Sequence, residues 1–182
     1  PNVTALIDIG KNISLWAAGA ILMEKTVDER VAMMRYFVEV TRRLWDFCNF
    51  FAAYAVCGAF SNNAIFRLTA HLSLLPKQDT KFIKDLEKHI SEASYKYLRE
   101  MQVTENITKP VIPLFSIVLQ DLKRQNESQR TMVGEKINLL KFTCTHKIIN
   151  DFVIFQSKKY DFLPITQVQQ KLESLNAPDN NW

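Results

Sequence analysis

An all-helical fold containing a proline-bounded helical hairpin is what this sequence predicts, and three observations predict it. Only 4 glycines and 6 prolines stand among 182 residues, below average usage of about 7% and 5%, so the chain is poor in the turn residues a sheet-rich fold needs. Apolar residues recur at three- and four-residue spacing over most of the length, the period of a helix with one buried face. Pro110 and Pro113 interrupt that pattern, and each disfavours helix at the residue before it, so a new unit begins there. With 47% hydrophobic residues the chain can bury a sizeable core, and one domain over 1–182 is the expectation.

From Thr4 to Met23, Leu6, Ile9, Ile13, Trp16, Ala17 and Ile21 keep helical spacing. A second helix is expected from Val27 to Phe47 with Val31, Met34, Phe37, Val38, Leu44 and Trp45 inward. Thr26, followed by Asp28 and Glu29, marks its start, because acidic groups suit the positive end of the helix dipole. Phe50 to Phe60 is apolar on nearly all sides and reads as an enclosed central helix. Ser61, Asn62 and Asn63 supply turn chemistry, a short helix follows over Ala64–Leu68, and Leu-Leu-Pro-Lys at 74–77 closes the region. Phe82, Leu86, Ile90, Ala93, Tyr97 and Met101 then form the clearest amphipathic helix. After the prolines, Leu114–Lys123 reads as a helix, polar Arg124–Arg130 as a loop and Met132–Gln156 as a long helix, so the two helices fold back antiparallel. A last helix is expected over Ile165–Leu175, and the tail 177–182 is expected to fray.

The formal net charge is +4, yet acidic and basic residues alternate and no long Lys/Arg run exists. Nucleic acid is not implied, since the aromatics fall on apolar faces instead of interleaving with cations; a mildly basic surface hints at membranes or acidic partners. Cys48, Cys57 and Cys144 are an odd number without CxxC spacing and read as reduced thiols of a cytosolic protein. The Asn-X-Ser/Thr triplets at Asn2, Asn12, Asn106 and Asn126 point faintly the other way. The N-terminal apolar stretch is cut by Asp8 and Lys11, so no signal peptide is read there. Phe50–Phe60 is about half of a membrane span, so no direct span is expected either. His71, His89 and His146 show no metal-ligand spacing, and His89, beside Lys88, reads as solvated. The four glycines are isolated in helical stretches, so there is no phosphate-cradling loop. No metal, no cofactor and no covalent catalysis are expected.

Three segments carry a resemblance: NISLWAAGAILMEKTVDERVAMMRYFVEVTRRLWDFCNFFAAYAVCGAFSNNAIFRL, KPVIPLFSIVLQDLKRQNES and INLLKFTCTHKIINDFVIFQSKKYDFLP. In order and spacing they resemble the catalytic domain of Ras-family guanine-nucleotide exchange factors, the son-of-sevenless-like family. The resemblance implies an orthogonal, all-α multi-helical domain from which an antiparallel hairpin, here 113–156, protrudes, and a sequence that lacks the family's usual first helices. A cytoplasmic monomer is the default expectation, and the resemblance implies a Ras-superfamily small GTPase as partner, with recruitment to membranes where that GTPase is anchored. The hairpin would insert beside the GTPase's nucleotide, displacing switch I by conformational competition instead of covalent chemistry.

By position, the hairpin glutamate of the family matches Glu127, and the neighbouring position that blocks magnesium falls on Lys123, with Leu122 one place earlier. The surface receiving switch II matches Tyr54, Gly58, Ser61 and Phe66, with Leu114 at the hairpin base and Gln120 and Asp8 as further contacts. An exchange-factor-like scaffold without activity is the alternative from another class, since Lys123, Ser61 and Asp8 differ from the residues usual at those positions.

Overall fold

The computed structural model describes residues 2–91 and 96–175, which are mostly helical. Helix α1 (Asn2–Met23) and α2 (Val27–Asp46) are joined by a short turn that ends in a capping box. Thr26 Oγ1 accepts from the Glu29 N–H at 3.2 Å, and Glu29 Oε2 accepts from the Thr26 N–H at 3.0 Å, so two otherwise orphaned donors are satisfied. Helix α3 (Phe50–Cys57) starts where Asn49 Oδ1 accepts from the Ala52 N–H at 3.0 Å, and it tightens into a 3-10 turn over Gly58–Ser61. The short α4 (Asn63–Phe66) and α5 (Thr69–Ser73) lead to α6 (Lys77–Ser91) and α7 (Lys96–Glu105).

The core is built where α1, α2 and α3 meet. Ala17, Ile21, Met34, Phe37, Phe50 and Ala53 are all at most 1% exposed. Trp16 meets Phe37 edge to face at 5.3 Å, a favoured aromatic geometry. Leu86 of α6 and Leu98 of α7 close the core from the other side. Asp79 of α6 is 7% exposed and is paired at that depth with Arg42 of α2, which reaches it at 2.6 Å, while the same guanidinium lies 4.5 Å from the Phe82 ring centre. By length and apolar content α1 is long enough to cross a membrane, yet its Ala17, Ala18, Gly19 and Ile21 are buried in this core.

Beyond Pro113 the order of elements is α8 (Phe115–Ser128), strands β1 (Met132–Val133) and β2 (Lys136–Ile137), α9 (Leu139–Val153), a 3-10 turn over Ile154–Ser157 and α10 (Thr166–Glu173). Several sequence expectations are corrected here. The polar stretch 124–128 is not a loop: it continues α8, where Lys123 and Glu127 pair across one turn at 3.9 Å and no Gly or Pro stops the helix. Met132–Gln156 is not one helix, because Gly134 at φ +62 turns the chain into a small antiparallel β-hairpin pairing Met132 with Ile137. That glycine is therefore not helical. Helix α5, hidden by its polar Thr69, His71 and Ser73, was absent from the expected elements. The stretch expected as one helix through Ala93 is helical on both sides of 92–95; Ala93 itself and the tail 177–182 lie outside the described residues.

Candidate functional site

The hairpin is rooted on the helix that carries the predicted platform residues. Asn49 and Ile112 form a parallel bridge, in which the Phe50 N–H donates to the Ile112 carbonyl at 3.0 Å and the Ile112 N–H donates to the Cys48 carbonyl at 3.0 Å. The first N–H groups of α3 have no acceptor within the helix, and the Pro110–Pro113 segment, which no helix can claim, supplies one. Cys48 takes φ +57 to make the crossing. One turn further, the buried Leu114 N–H donates to Gln102 Oε1 of α7 at 3.0 Å, fixing where α8 begins. A segment from 158 to 162 straps this root: Lys158 Nζ donates to the Asn106 carbonyl at 2.5 Å and to the Ile107 carbonyl, while Tyr160 donates to the Phe47 carbonyl at 2.5 Å. Phe162 stacks on Tyr160 at 5.5 Å and meets Phe47 edge-on at 5.2 Å.

The two arms of the hairpin are tied at both ends. Near the root, Phe115 of α8 lies 5.4 Å from Phe152 of α9. Near the tip, Lys141 Nζ of α9 donates to Asn126 Oδ1 at 2.8 Å and to Thr131 Oγ1 at 3.2 Å, and Asn138 caps α9 while its amide donates to the Arg130 carbonyl at 2.9 Å. Phe115, Leu119, Leu122 and Asn126 share one face of α8 by spacing, and it is the α9-facing one. Arg99 of α7 binds Asp121 at 3.0 Å and holds α8 from the body side.

The predicted residues fall into two sets. Gln120, Lys123 and Glu127 lie on a third face of α8, all exposed, and Glu127 has Lys123 at 3.9 Å. Leu122 is half-buried toward α9, so it does not share that face. On the body, Tyr54 is 8% exposed beside Trp45, with ring centres 6.2 Å apart. Gly58 is placed by packing: a Cβ there would stand 3.0 Å from Ser14 Oγ of α1. Ser61 donates to Glu87 Oε1 at 3.0 Å, Phe66 is 67% exposed, Asp8 is exposed on α1 and Leu114 is buried at the hairpin root. Sequence reasoning missed Gln102 and Lys141, the two side chains that set the hairpin's position and closure. Both are polar residues on otherwise ordinary helices, and only the fold brings their partners within reach. His89, expected to be solvated, is corrected: it stacks between Trp45 at 6.0 Å and Tyr97 at 4.5 Å, because α2 and α7 close over that side of α6.

Charge at the root is locally balanced. The Glu105 carboxyl is held below its usual range, chiefly by its hydrogen bond with Lys109. Burial, with Glu105 beside it, pushes the Cys48 thiol up, so it stays neutral. Burial also raises the Tyr160 hydroxyl, keeping it a donor to Phe47. Among the described residues no cluster of three or more His, Cys, Asp and Glu side chains is arranged to hold a metal. What the arrangement offers is a stiff two-helix arm with an exposed polar face, hydrogen-bonded at its root to α3.

The RasGEF domain family matches residues 1–143. "Ras guanine nucleotide exchange factor K" of Dictyostelium discoideum is 29% identical over 171 residues, covering 92% of this chain and 11% of that protein. "Ras guanine nucleotide exchange factor A" of the same organism is 28% identical, over 97% of this chain and 30% of its own length. Human "Ras-specific guanine nucleotide-releasing factor RalGPS2" is 28% identical, over 96% of this chain and 30% of its own. The chain thus spans less than a third of the length of these relatives.

Proposed function

The chain belongs to the RasGEF domain family, and from that premise we propose that it stimulates GDP release from a Ras-family small GTPase by inserting its helical hairpin beside the nucleotide. The observation that carries the reading is the shared root: α8 begins from a segment hydrogen-bonded to the N-terminus of α3, and α3 with its 3-10 turn carries Tyr54, Gly58 and Ser61. A GTPase whose switch II rests on that platform, with Phe66 and Asp8 at its margin, meets the arm at a defined angle. Exchange then needs no acid, base or metal of its own. It needs the GTPase conformation with an open nucleotide site to be bound more tightly than the closed one, and a hundredfold acceleration requires about 2.7 kcal/mol of such difference.

Within this reading Glu127 competes for the groups of the GTPase that hold phosphate. Its pairing with Lys123 is loose and solvent-exposed at 3.9 Å, so exchanging it for a new cation costs little. Gln120 shares its face and adds a neutral hydrogen-bonding contact, while Leu122 keeps the arm stiff by packing toward α9. Lys123 brings an ammonium near the magnesium position, where a cation opposes the metal by like-charge repulsion.

The alternative is an exchange-factor-like scaffold, and the same Lys123 favours it, because its ammonium lies where it partly neutralises Glu127. Release of a fluorescent guanine nucleotide from a panel of Ras, Rap, Ral and Rho-type GTPases separates the two. Acceleration of one Ras-family member is the expected result. Binding of a GTPase with unchanged nucleotide release, by protein shown to be folded by circular dichroism, would establish the scaffold instead.

A further inference from the structure

The hairpin leans on the body through few contacts. Among the described residues the backbones of α8 and α9 run close to each other but approach that of α7 at few points. A groove of about 940 Å³ is left open between the three helices at the hairpin's foot. Close-packed side chains hold an element at one inclination, because any tilt opens voids or forces overlaps. Across an open groove that restraint is missing, so the inclination of the arm rests on the polar contacts that bridge it.

Those contacts come from one face of α7. Arg99, Gln102 and, just past the helix end, Asn106 follow at three- and four-residue spacing. Arg99 binds Asp121, and the buried Gln102 accepts from the Leu114 N–H, both at 3.0 Å, so α8 is held at two points. The foot of α9 has a weaker tie to the same face: Asn106 Nδ2 donates to the Ile154 carbonyl at 3.5 Å, long for such a bond. Lys158 supplies the stronger one. Its half-buried side chain crosses to the carboxyl end of α7, where Nζ donates to the Asn106 carbonyl at 2.5 Å and to the Ile107 carbonyl. A cation suits that end of a helix, and hydrogen bonds from a charged donor are the stronger kind. Residues 158 and 159 alone separate the 3-10 turn after α9 from Tyr160, which is pinned to the Phe47 carbonyl. The foot of α9 is thus clamped between α7 and the end of α2, and Lys158 is the clamp's main contact with α7.

We infer that Lys158 sets the inclination of the hairpin and is a positioning residue for nucleotide release, a role that rests on the hairpin acting as the wedge. Lys158 lies at the root, apart from the exposed face of Gln120, Lys123 and Glu127, and acts through the arm. A GTPase displaced by the arm pushes back on it, and only a lever with a fixed foot holds that position.

The test reads the arm first, without a GTPase. Spin labels are placed at Lys136→Cys on the hairpin tip and at Lys81→Cys on the exposed side of α6, in a Cys144→Ser background that leaves only the buried Cys48 and Cys57. Pulsed electron resonance should give one narrow separation, a broadened or displaced one with Lys158→Met, and recovery with Lys158→Arg, which keeps a cation with several donors. In release of fluorescent GDP, with each variant shown to be folded by circular dichroism, Lys158→Met should lower the maximal rate about tenfold. KM for the GTPase should stay within about twofold, because the α3 platform is untouched, and Lys158→Arg should restore the rate. A separation in Lys158→Met identical to that of the unsubstituted chain overturns the inference whatever the exchange rate. So does a displaced arm with an unchanged maximal rate in a chain that Glu127→Ala slows, a result that leaves the wedge standing. Unchanged release in both Lys158→Met and Glu127→Ala would instead remove the wedge and, with it, this role.

Discussion

Replacing Glu127 separates stability from function more cleanly than any other substitution in this chain. The side chain is 65% exposed and its described partner, Lys123, is 75% exposed at 3.9 Å. An exposed pair one helical turn apart contributes about 0.3–0.5 kcal/mol. Glu127→Ala should therefore move the melting temperature by no more than about 2 °C in a domain of this size, and alanine's helix propensity offsets part of even that. The expected effect on exchange is of another order. A charge-assisted hydrogen bond made only in the nucleotide-releasing complex is worth about 1.5–3 kcal/mol, which slows release by about 10- to 150-fold. Glu127→Gln, which keeps the shape and loses the charge, should fall between the parent and the alanine variant. The assay is release of a fluorescent GDP analogue from the GTPase that responds best in the panel. A Glu127→Ala rate within twofold of the parent, with the fold intact by circular dichroism, would refute the role of the arm's exposed face. Combining it with Leu122→Ala asks next whether the arm matters at all.

Four further outcomes follow from the structure. Gln102→Leu strands the buried Leu114 N–H at the hairpin root and should cost about 1–3 kcal/mol in urea unfolding; a loss under about 0.5 kcal/mol would mean that α8 is positioned by packing alone. Gly58→Ala should destabilise the chain because its new Cβ meets Ser14 Oγ at 3.0 Å, and Ser14→Ala should restore the loss, since the remaining contact, to the Ser14 Cβ, is an ordinary 3.6 Å. Failure of that rescue in thermal melts would put the constraint elsewhere. The Glu29 carboxyl sits below its ordinary pKa, first through its hydrogen bond with the Thr26 hydroxyl and then with the Thr26 backbone, so its stabilising contribution is complete above the ordinary carboxylate range and lost as pH falls through the lowered value. Glu29→Gln should flatten that part of the melting-temperature profile between about pH 5 and 3, and an unchanged profile would assign the slope to other carboxyls. The Cys57 thiol, pushed up to about 12 by burial and then by Glu87, should resist iodoacetamide at pH 8 until the chain is unfolded, as mass spectrometry of the labelled peptide would report.

What the sequence determined by itself is local. Helical periodicity located α1 and α2, the all-round apolar run at Phe50–Phe60 located α3, Thr26 with the acidic Asp28 and Glu29 marked the start of α2, and Pro110 and Pro113 placed the break before α8. Each of these rests on interactions within a few residues, which a linear pattern encodes directly. The same order and spacing of segments carried the resemblance to the exchange-factor family, and the family match covers residues 1–143. What only the tertiary structure decided depends on partners distant in sequence. His89 is half-buried because Trp45 and Tyr97 stack against it, and Gln102 becomes the anchor of the arm because Leu114 is brought to it. A polar side chain in a helix reads the same whether it faces water or a backbone N–H on a neighbouring element, and the packing of the elements settles which.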